Sequence, residues 1–289
     1  SAPDYFWTAQ DPIYLSATAA ADLDDDGDQE VIMGRSAYHH DGTPYYTHPE
    51  LTPGYPQIAD LDDDGLPEVL ITNLDGLTLL ERDGTIKYSN LRPTGDPPGY
   101  TWLRPATIHD FDGDGTSEYA TSSATHYSVF EADAAIVWTA NVAEYSCCAA
   151  GTAFDFLGDG VAEAMYADEH FMFIFDGAGK ALLQIPRSSG TLSEYPIVAD
   201  IDNDGSAEIV VVSCQYQEPT SPTVQVIRDK MDRWIQARRI WNQHTYHVTN
   251  VREDSTIPQF EAPSWKQLNT FRTNSQIEGG GLCKPPIPQ

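Results

Sequence analysis

Carboxylates recur in this chain at a spacing that suits a hard cation. Five nonapeptides align without gaps: residues 22–30 (DLDDDGDQE), 60–68 (DLDDDGLPE), 110–118 (DFDGDGTSE), 155–163 (DFLGDGVAE) and 200–208 (DIDNDGSAE). Positions 1, 3, 5 and 9 are acidic, except that Leu157 takes position 3 of the fourth copy. Position 2 is apolar and position 6 is always glycine. Position 7 varies freely among Asp28, Leu66, Thr116, Val161 and Ser206, a spread that makes sense if its backbone carbonyl is what the loop uses. Several hard oxygens converging from one tight turn are what Ca²⁺ requires, whereas Mg²⁺ takes fewer protein ligands and more water. Solvated acidic turns are the plain alternative, and five recurrences at one internal spacing argue against it. An EF-hand needs a bidentate acid at position 12, where this chain has Met33, Ile71, Thr121, Tyr166 and Val211, so that motif is excluded.

The elements that must hold these loops are short strands. A β-rich run follows each acidic turn, as in residues 68–72 (EVLIT) and 208–212 (EIVVV), and another extended segment precedes it, as in 55–59 and 195–199. The loop is therefore expected in the hairpin between the first and second strands of a repeating unit. The copies start 38, 50, 45 and 45 residues apart, close to the length of a four-stranded propeller blade. Residues 79–88 and 173–183 read as the outer hairpins of such blades, with Asp-Gly turns, and 136–140 (IVWTA) reads as another fourth strand. Residues 5–9 (YFWTA) echo it ahead of the first loop and are expected to complete the last blade and close the ring. The expected fold is all-β, a propeller over 1–251 with five loop-bearing blades. Residues 239–274 offer most of a sixth blade, and seven blades are the alternative. Residues 252–275 are expected as a C-terminal extension or part of the last blade, and the Gly/Pro-rich 276–289 reads as a tail or as a linker towards a further module.

The pattern Asp-apolar-Asp-x-Asp-Gly-x-x-Glu, followed by a β-branched strand at this period, resembles the FG-GAP/VCBS repeats of calcium-binding β-propellers over roughly residues 12–250. Such propellers occur in integrin α-chains and in secreted bacterial proteins. The resemblance implies four to five Ca²⁺ ions, bound by the side chains at positions 1, 3, 5 and 9 and the carbonyl at 7. These are Asp22, Asp24, Asp26, Asp28 and Glu30; Asp60, Asp62, Asp64, Leu66 and Glu68; Asp110, Asp112, Asp114, Thr116 and Glu118; and Asp200, Asp202, Asp204, Ser206 and Glu208. The fourth copy keeps only Asp155, Asp159, Val161 and Glu163, and its site is expected to be the weakest. Residues 239–251 also resemble the segment that ends such propellers in secreted multidomain proteins.

Composition bounds the function. Asp and Glu number 44 against 16 Lys and Arg, a formal charge of −28 over 289 residues, which disfavours nucleic acid and anionic membrane as partners. The longest apolar runs, such as 171–175, are strand-sized, so no direct membrane insertion is expected. Four cysteines (Cys147, Cys148, Cys214, Cys283) suggest disulfides of an oxidising compartment, with three pairings open. Catalytic motifs are missing: there is no Gly-x-Ser-x-Gly, no phosphate-cradling glycine loop and no His-Glu-x-x-His. His244 and His247 read better as hydrogen-bonded histidines than as metal ligands, and the basic cluster from Arg228 to Arg239 as internal pairing with neighbouring acids. Large aromatics lead into the loops: Tyr14, Tyr55, Tyr100 with Trp102, Tyr145 and Tyr195. Of these, Tyr55, Trp102 and Tyr195 are candidates for a ligand-binding face, with packing between blades as the alternative. The expectation is a secreted or cell-surface, calcium-loaded adhesion or interaction module that binds protein or glycan and is not an enzyme. A polysaccharide lyase is one alternative, and a structural module of a surface protein or filament the other.

Overall fold

The computed structural model describes residues 6–9, 16–93, 102–216 and 218–275. Tyr5, Tyr14, Tyr100, Cys283 and the tail expected over 276–289 lie outside them. The described residues form five antiparallel sheets, each built from strands taken in sequence order. The first holds β1 (Ala19–Ala21), β2 (Glu30–Ile32), β3 (Ser36–Tyr38) and β4 (Pro44–Thr47). The second holds β5 (Gly54–Ala59), β6 (Glu68–Asn73), β7 (Leu77–Leu80) and β8 (Ile86–Leu91). In the third are β9 (Thr107–His109), β10 (Glu118–Ser122), β11 (His126–Phe130) and β12 (Ile136–Asn141); in the fourth, β13 (Thr152–Phe154), β14 (Glu163–Ala167), β15 (Phe171–Phe175) and β16 (Ala181–Pro186). The fifth has three strands, β17 (Ile197–Ala199), β18 (Glu208–Val212) and β19 (Val224–Ile227).

Burial falls from the inside outwards. Every residue of β6, β10 and β14 is buried, whereas β8 is mostly exposed. The second strand of the second sheet is accordingly a continuous apolar run, Val69, Leu70 and Ile71, packed on both faces. Neighbouring sheets lock through an aromatic side chain of the fourth strand set on the turn of the next sheet. A Cβ on Gly84 would lie 2.6 Å from the Tyr46 side chain, and one on Gly179 2.6 Å from the Trp138 ring. Only glycine admits so close an approach.

The ends of the chain depart from expectation. Residues 6–9 form no strand. Trp7 lies against Gly42, as Tyr46 lies against Gly84, and donates Nε1–H to the His40 carbonyl at 3.1 Å. The segment thus sits beside the first sheet and pairs with no strand of the fifth. The sixth blade is not formed either, since the described part of 239–275 holds two single-turn 3₁₀ helices and no strand. Residues 269–274 instead run along the innermost strands. Asn269 bonds Asp60 N and O through its side chain, Phe271 bridges Ile108, Thr273 bridges Ala153, and Asn274 donates to the Val198 carbonyl. Arg272 is fully buried, 4.2 Å above the Tyr195 ring. The segment read as an extension is therefore part of the core. It has no two-residue periodicity because it makes single bridges to several sheets rather than a ladder to one.

Cys147 and Cys148 are joined to each other, and Cys214 is free and exposed. No helix among the described residues is long and apolar enough to cross a membrane.

Candidate cation loops

All five nonapeptides close the hairpin between the first and second strands of their sheets. In each, position 9 begins the second strand and faces the last residue of the first: Ala21↔Glu30, Ala59↔Glu68, His109↔Glu118, Phe154↔Glu163 and Ala199↔Glu208. The backbone enters the left-handed region at position 6, with φ of 93°, 86°, 95°, 93° and 93° from Gly27 to Gly205. At Gly27, Gly65, Gly115 and Gly160 an added Cβ would touch nothing within 4 Å, so the turn requires glycine for its dihedral angle and not for space. Position 4 is also left-handed, at Asp25, Asp63, Gly113, Gly158 and Asn203, residue types that tolerate it.

Hydrogen bonds then aim the carboxylates. One oxygen of the position-9 glutamate accepts the N–H of position 2, at 2.7 Å from Leu23 and Leu61, 2.6 Å from Phe111, 2.8 Å from Phe156 and 3.0 Å from Ile201. Position-5 aspartates accept the N–H of position 7, at 2.9 Å in the first loop and 2.8 Å in the second, third and fifth. Position-1 aspartates accept the N–H of the glycine at position 6, at 3.0 Å for Gly27 and 2.9 Å for Gly65. The remaining oxygens converge. Within 4.8 Å of one another lie ligand atoms of Asp110, Asp112, Asp114 and Glu118; of Asp22, Asp24 and Asp26; of Asp60, Asp62 and Glu68; and of Asp200, Asp202 and Glu208.

The buried Oε1 of Glu208 has no hydrogen-bond partner, and that of Glu68 has only the Lys87 ammonium 3.6 Å away. A buried carboxylate oxygen left unpaired among other carboxylates is costly, and a divalent cation is the group that removes the cost. The residues present therefore fit Ca²⁺: they are oxygen-only, carboxylate-rich and set by backbone geometry. Burial, assisted by neighbouring aspartates and opposed by the position-2 N–H, pushes the carboxyls of Glu68 and Glu118 up to about 8 and that of Glu163 up to about 7. The same causes raise Glu30 and Glu208.

The fourth loop differs. Asp155 and Asp159 keep their backbone bonds, but no set of Asp155, Asp159 and Glu163 converges as in the other loops. In its place Leu157, Phe156, Ile174, Leu182 and Trp234 line a cavity of about 220 Å³ that Glu163 borders.

One position was missed in the sequence reading. In every sheet the residue opposite position 10 is the last of the third strand, and the next one is His39, Glu81, Glu131, Asp176 or Arg228; Asp176 bonds within its own turn, whereas His39 and Arg228 lie against loop carboxylates. His39 Nδ1 is 3.2 Å from Glu30 and 3.8 Å from Asp24. Glu81 pairs with Lys87, whose Nζ also lies 2.5 Å from Asp62 and 3.6 Å from Glu68. Arg228 lies 3.9 Å from Asp202 and 3.8 Å from Asp204, and Arg239 lies 3.6 Å from Asp200. For His39 and Glu81 the signal was available as the residue two before an Asp-Gly pair, at 41–42 and 83–84; the other three copies lack that mark.

Of the aromatic candidates, Trp102 is fully buried against Phe130 and is no ligand platform. Tyr55 and Tyr195 do converge, their rings 6.1 and 5.6 Å from that of His244, but Arg272 and His244 of the same chain occupy the space between them. Their role is packing on the axial segment. His247 hydrogen-bonds Glu261 at 2.5 Å and stacks on Phe271, while burial and the nearby Arg272 guanidinium push the His244 imidazole down to about 4. The basic cluster pairs internally, with Arg233 on Asp229 and the buried Arg238 on Glu253 and Tyr246.

Residues 60–121 match the family model of the FG-GAP-like repeat. The crystal structure of the V. cholerae biofilm matrix protein Bap1 is similar over 94% of this chain and 71% of that one, with a TM-score of 0.73 at 18% identity. The chain is a β-propeller in fold, and its residues 60–121 carry an FG-GAP-like repeat. Rhamnogalacturonan lyase YesW aligns with 73% of the propeller at 16% identity and a TM-score of 0.50, and the propeller spans 48% of that enzyme. At such identities these likenesses concern the fold alone. No curated protein sequence matches the propeller.

Proposed function

We propose that the propeller is a calcium-stabilised interaction module, secreted or displayed at the cell surface, that binds a partner and performs no catalysis. The buried, unpartnered Oε1 of Glu208, in a hairpin that gathers further carboxylates as three sister hairpins do, is the observation that supports calcium. A role in binding draws support from the axis: where a propeller enzyme would place its reacting groups, residues 269–274 fill the space. The Cys147–Cys148 disulfide supports an oxidising compartment.

The recognition surface we assign differs from the one expected from the tyrosines before the loops. Tyr145, Leu192 and Tyr216 are 60%, 65% and 62% exposed on adjoining loops. Thr191 N–H donates to Ser146, Cys148 N–H donates to the Leu192 carbonyl, and Tyr216 packs over Gly190. Two exposed tyrosines on a disulfide-braced platform suit stacking on a neutral glycan, and the −28 charge disfavours an anionic one. Binding to a glycan array, compared with a Tyr145→Ala/Tyr216→Ala variant, tests this. Loss of binding with unchanged melting supports the surface. Equal binding by the variant, or retention only on protein ligands, contradicts it.

A further inference from the structure

The five loops are not equivalent, and the residue after each third strand makes the difference. In the second and fifth loops that neighbourhood is already held by cations of the chain: Lys87 Nζ sits among Asp62, Glu68 and Glu81, and the Arg228 guanidinium faces Asp202 and Asp204. The third loop presents Glu131 there, adding negative charge beside four convergent carboxylates. The first presents an imidazole. His39, Asp24 and Glu30 offer three ligand atoms within 4.8 Å of one another, a set distinct from Asp22, Asp24 and Asp26, although Asp24 belongs to both and Glu30 is also the expected position-9 calcium ligand.

Imidazole nitrogen changes the chemistry. Calcium takes oxygen almost exclusively, whereas one nitrogen with two carboxylates suits a first-row divalent ion such as zinc, leaving positions open for water. The ligands are also held in place. Glu30 is fully buried, with Oε2 on Leu23 N–H and Oε1 turned to His39. The Tyr45 ring packs edge-on 5.0 Å from the imidazole, and the backbone N–H of His39 donates to the Thr43 carbonyl, fixing the main chain that carries it. That ammonium and guanidinium groups occupy the corresponding space in two sister loops shows independently that positive charge is accommodated there. We propose that the first loop holds a divalent transition ion of the zinc class through Asp24, Glu30 and His39. The ion would replace the His39–Glu30 hydrogen bond. The proposal rests on reading these loops as cation sites and adds a second metal specificity to one of them.

Zinc titration of the metal-stripped chain by calorimetry, followed by calcium titration of the same protein, tests it. The intact chain should take up zinc at one site, and His39→Ala should weaken that uptake about tenfold or more while leaving calcium uptake unchanged. Asp24→Asn should weaken both ions. His39→Gln, which keeps a polar group beside Glu30 but is a poor zinc ligand, serves as the second variant and should behave as His39→Ala does. His40→Ala and His247→Ala should leave zinc uptake as it was. Zinc uptake indifferent to both His39 variants overturns the proposal, as does an equal loss of calcium and zinc in them. Uptake of calcium without zinc by the intact chain overturns this proposal alone, and uptake of neither overturns the calcium reading as well.

Discussion

Single residues decide what each loop can hold. Glycine at position 6 is set by a left-handed backbone with open space around it, so Gly65→Ala is expected to cost about 1–2 kcal/mol in backbone strain without any clash. Urea denaturation of that variant checks the figure, and a neutral result would mean that the turn relaxes. Leu157 is the converse case. Leu157→Asp restores a carboxylate at position 3 beside Asp155, Asp159 and Glu163, and calorimetry should then count one more calcium per chain than in the parent. An unchanged count would show that the apolar cavity, not the missing ligand, keeps the ion out. His244 contributes to the acid limit, as does the buried His109, whose imidazole burial also pushes down to about 4. The His244 imidazole titrates near 4 when folded, below the ordinary 6.5, because burial and Arg272 disfavour the charged form. That contribution is fully present above about pH 6.5 and is lost as pH falls towards 4, on the order of 2 kcal/mol. His244→Gln should flatten this part of the stability profile, and a profile identical to the parent would remove His244 from the account.

At the scale of elements, the hairpin loops were legible because one spacing, repeated five times, fixes the strand before, the turn and the strand after. Position 9 had to start the second strand so that its carboxylate could reach back to the N–H of position 2. The C-terminal segment was not legible in this way. Asn269, Phe271, Thr273 and Asn274 each meet a different sheet, so no periodic pattern marks them, and a count of residues suggested a sixth blade where there is an axial plug. Trp102 misled for a related reason: sequence places an aromatic before a loop but does not say whether the ring turns to solvent or, as here, towards Phe130. Truncation after Pro263 should lower the melting temperature by more than about 10 °C and broaden the transition, because the buried Phe271 and Arg272 leave the core. Melting as sharp and as high as that of the intact chain would show that the sheets hold together without the plug.

For the whole molecule, the balance is electrostatic. The chain carries a net −28, and its acidic loops lie at the same hairpin of every sheet, so folding gathers like charges that the unfolded chain keeps apart. The internal cations Lys87, Arg228 and Arg239 relieve the second and fifth loops in part, and the third has no such counter-charge among the contacts described above. The third loop should therefore bind calcium most tightly, and Lys87→Ala should strengthen the second. If each occupied site at tenfold excess calcium contributes about 1.4 kcal/mol, four or five of them are comparable to the stability of a whole domain. Scanning calorimetry in saturating calcium and in excess chelator tests this most directly. The account expects the melting temperature to fall by more than about 10 °C on chelation and to return when calcium is restored; superimposable curves in the two conditions would contradict it.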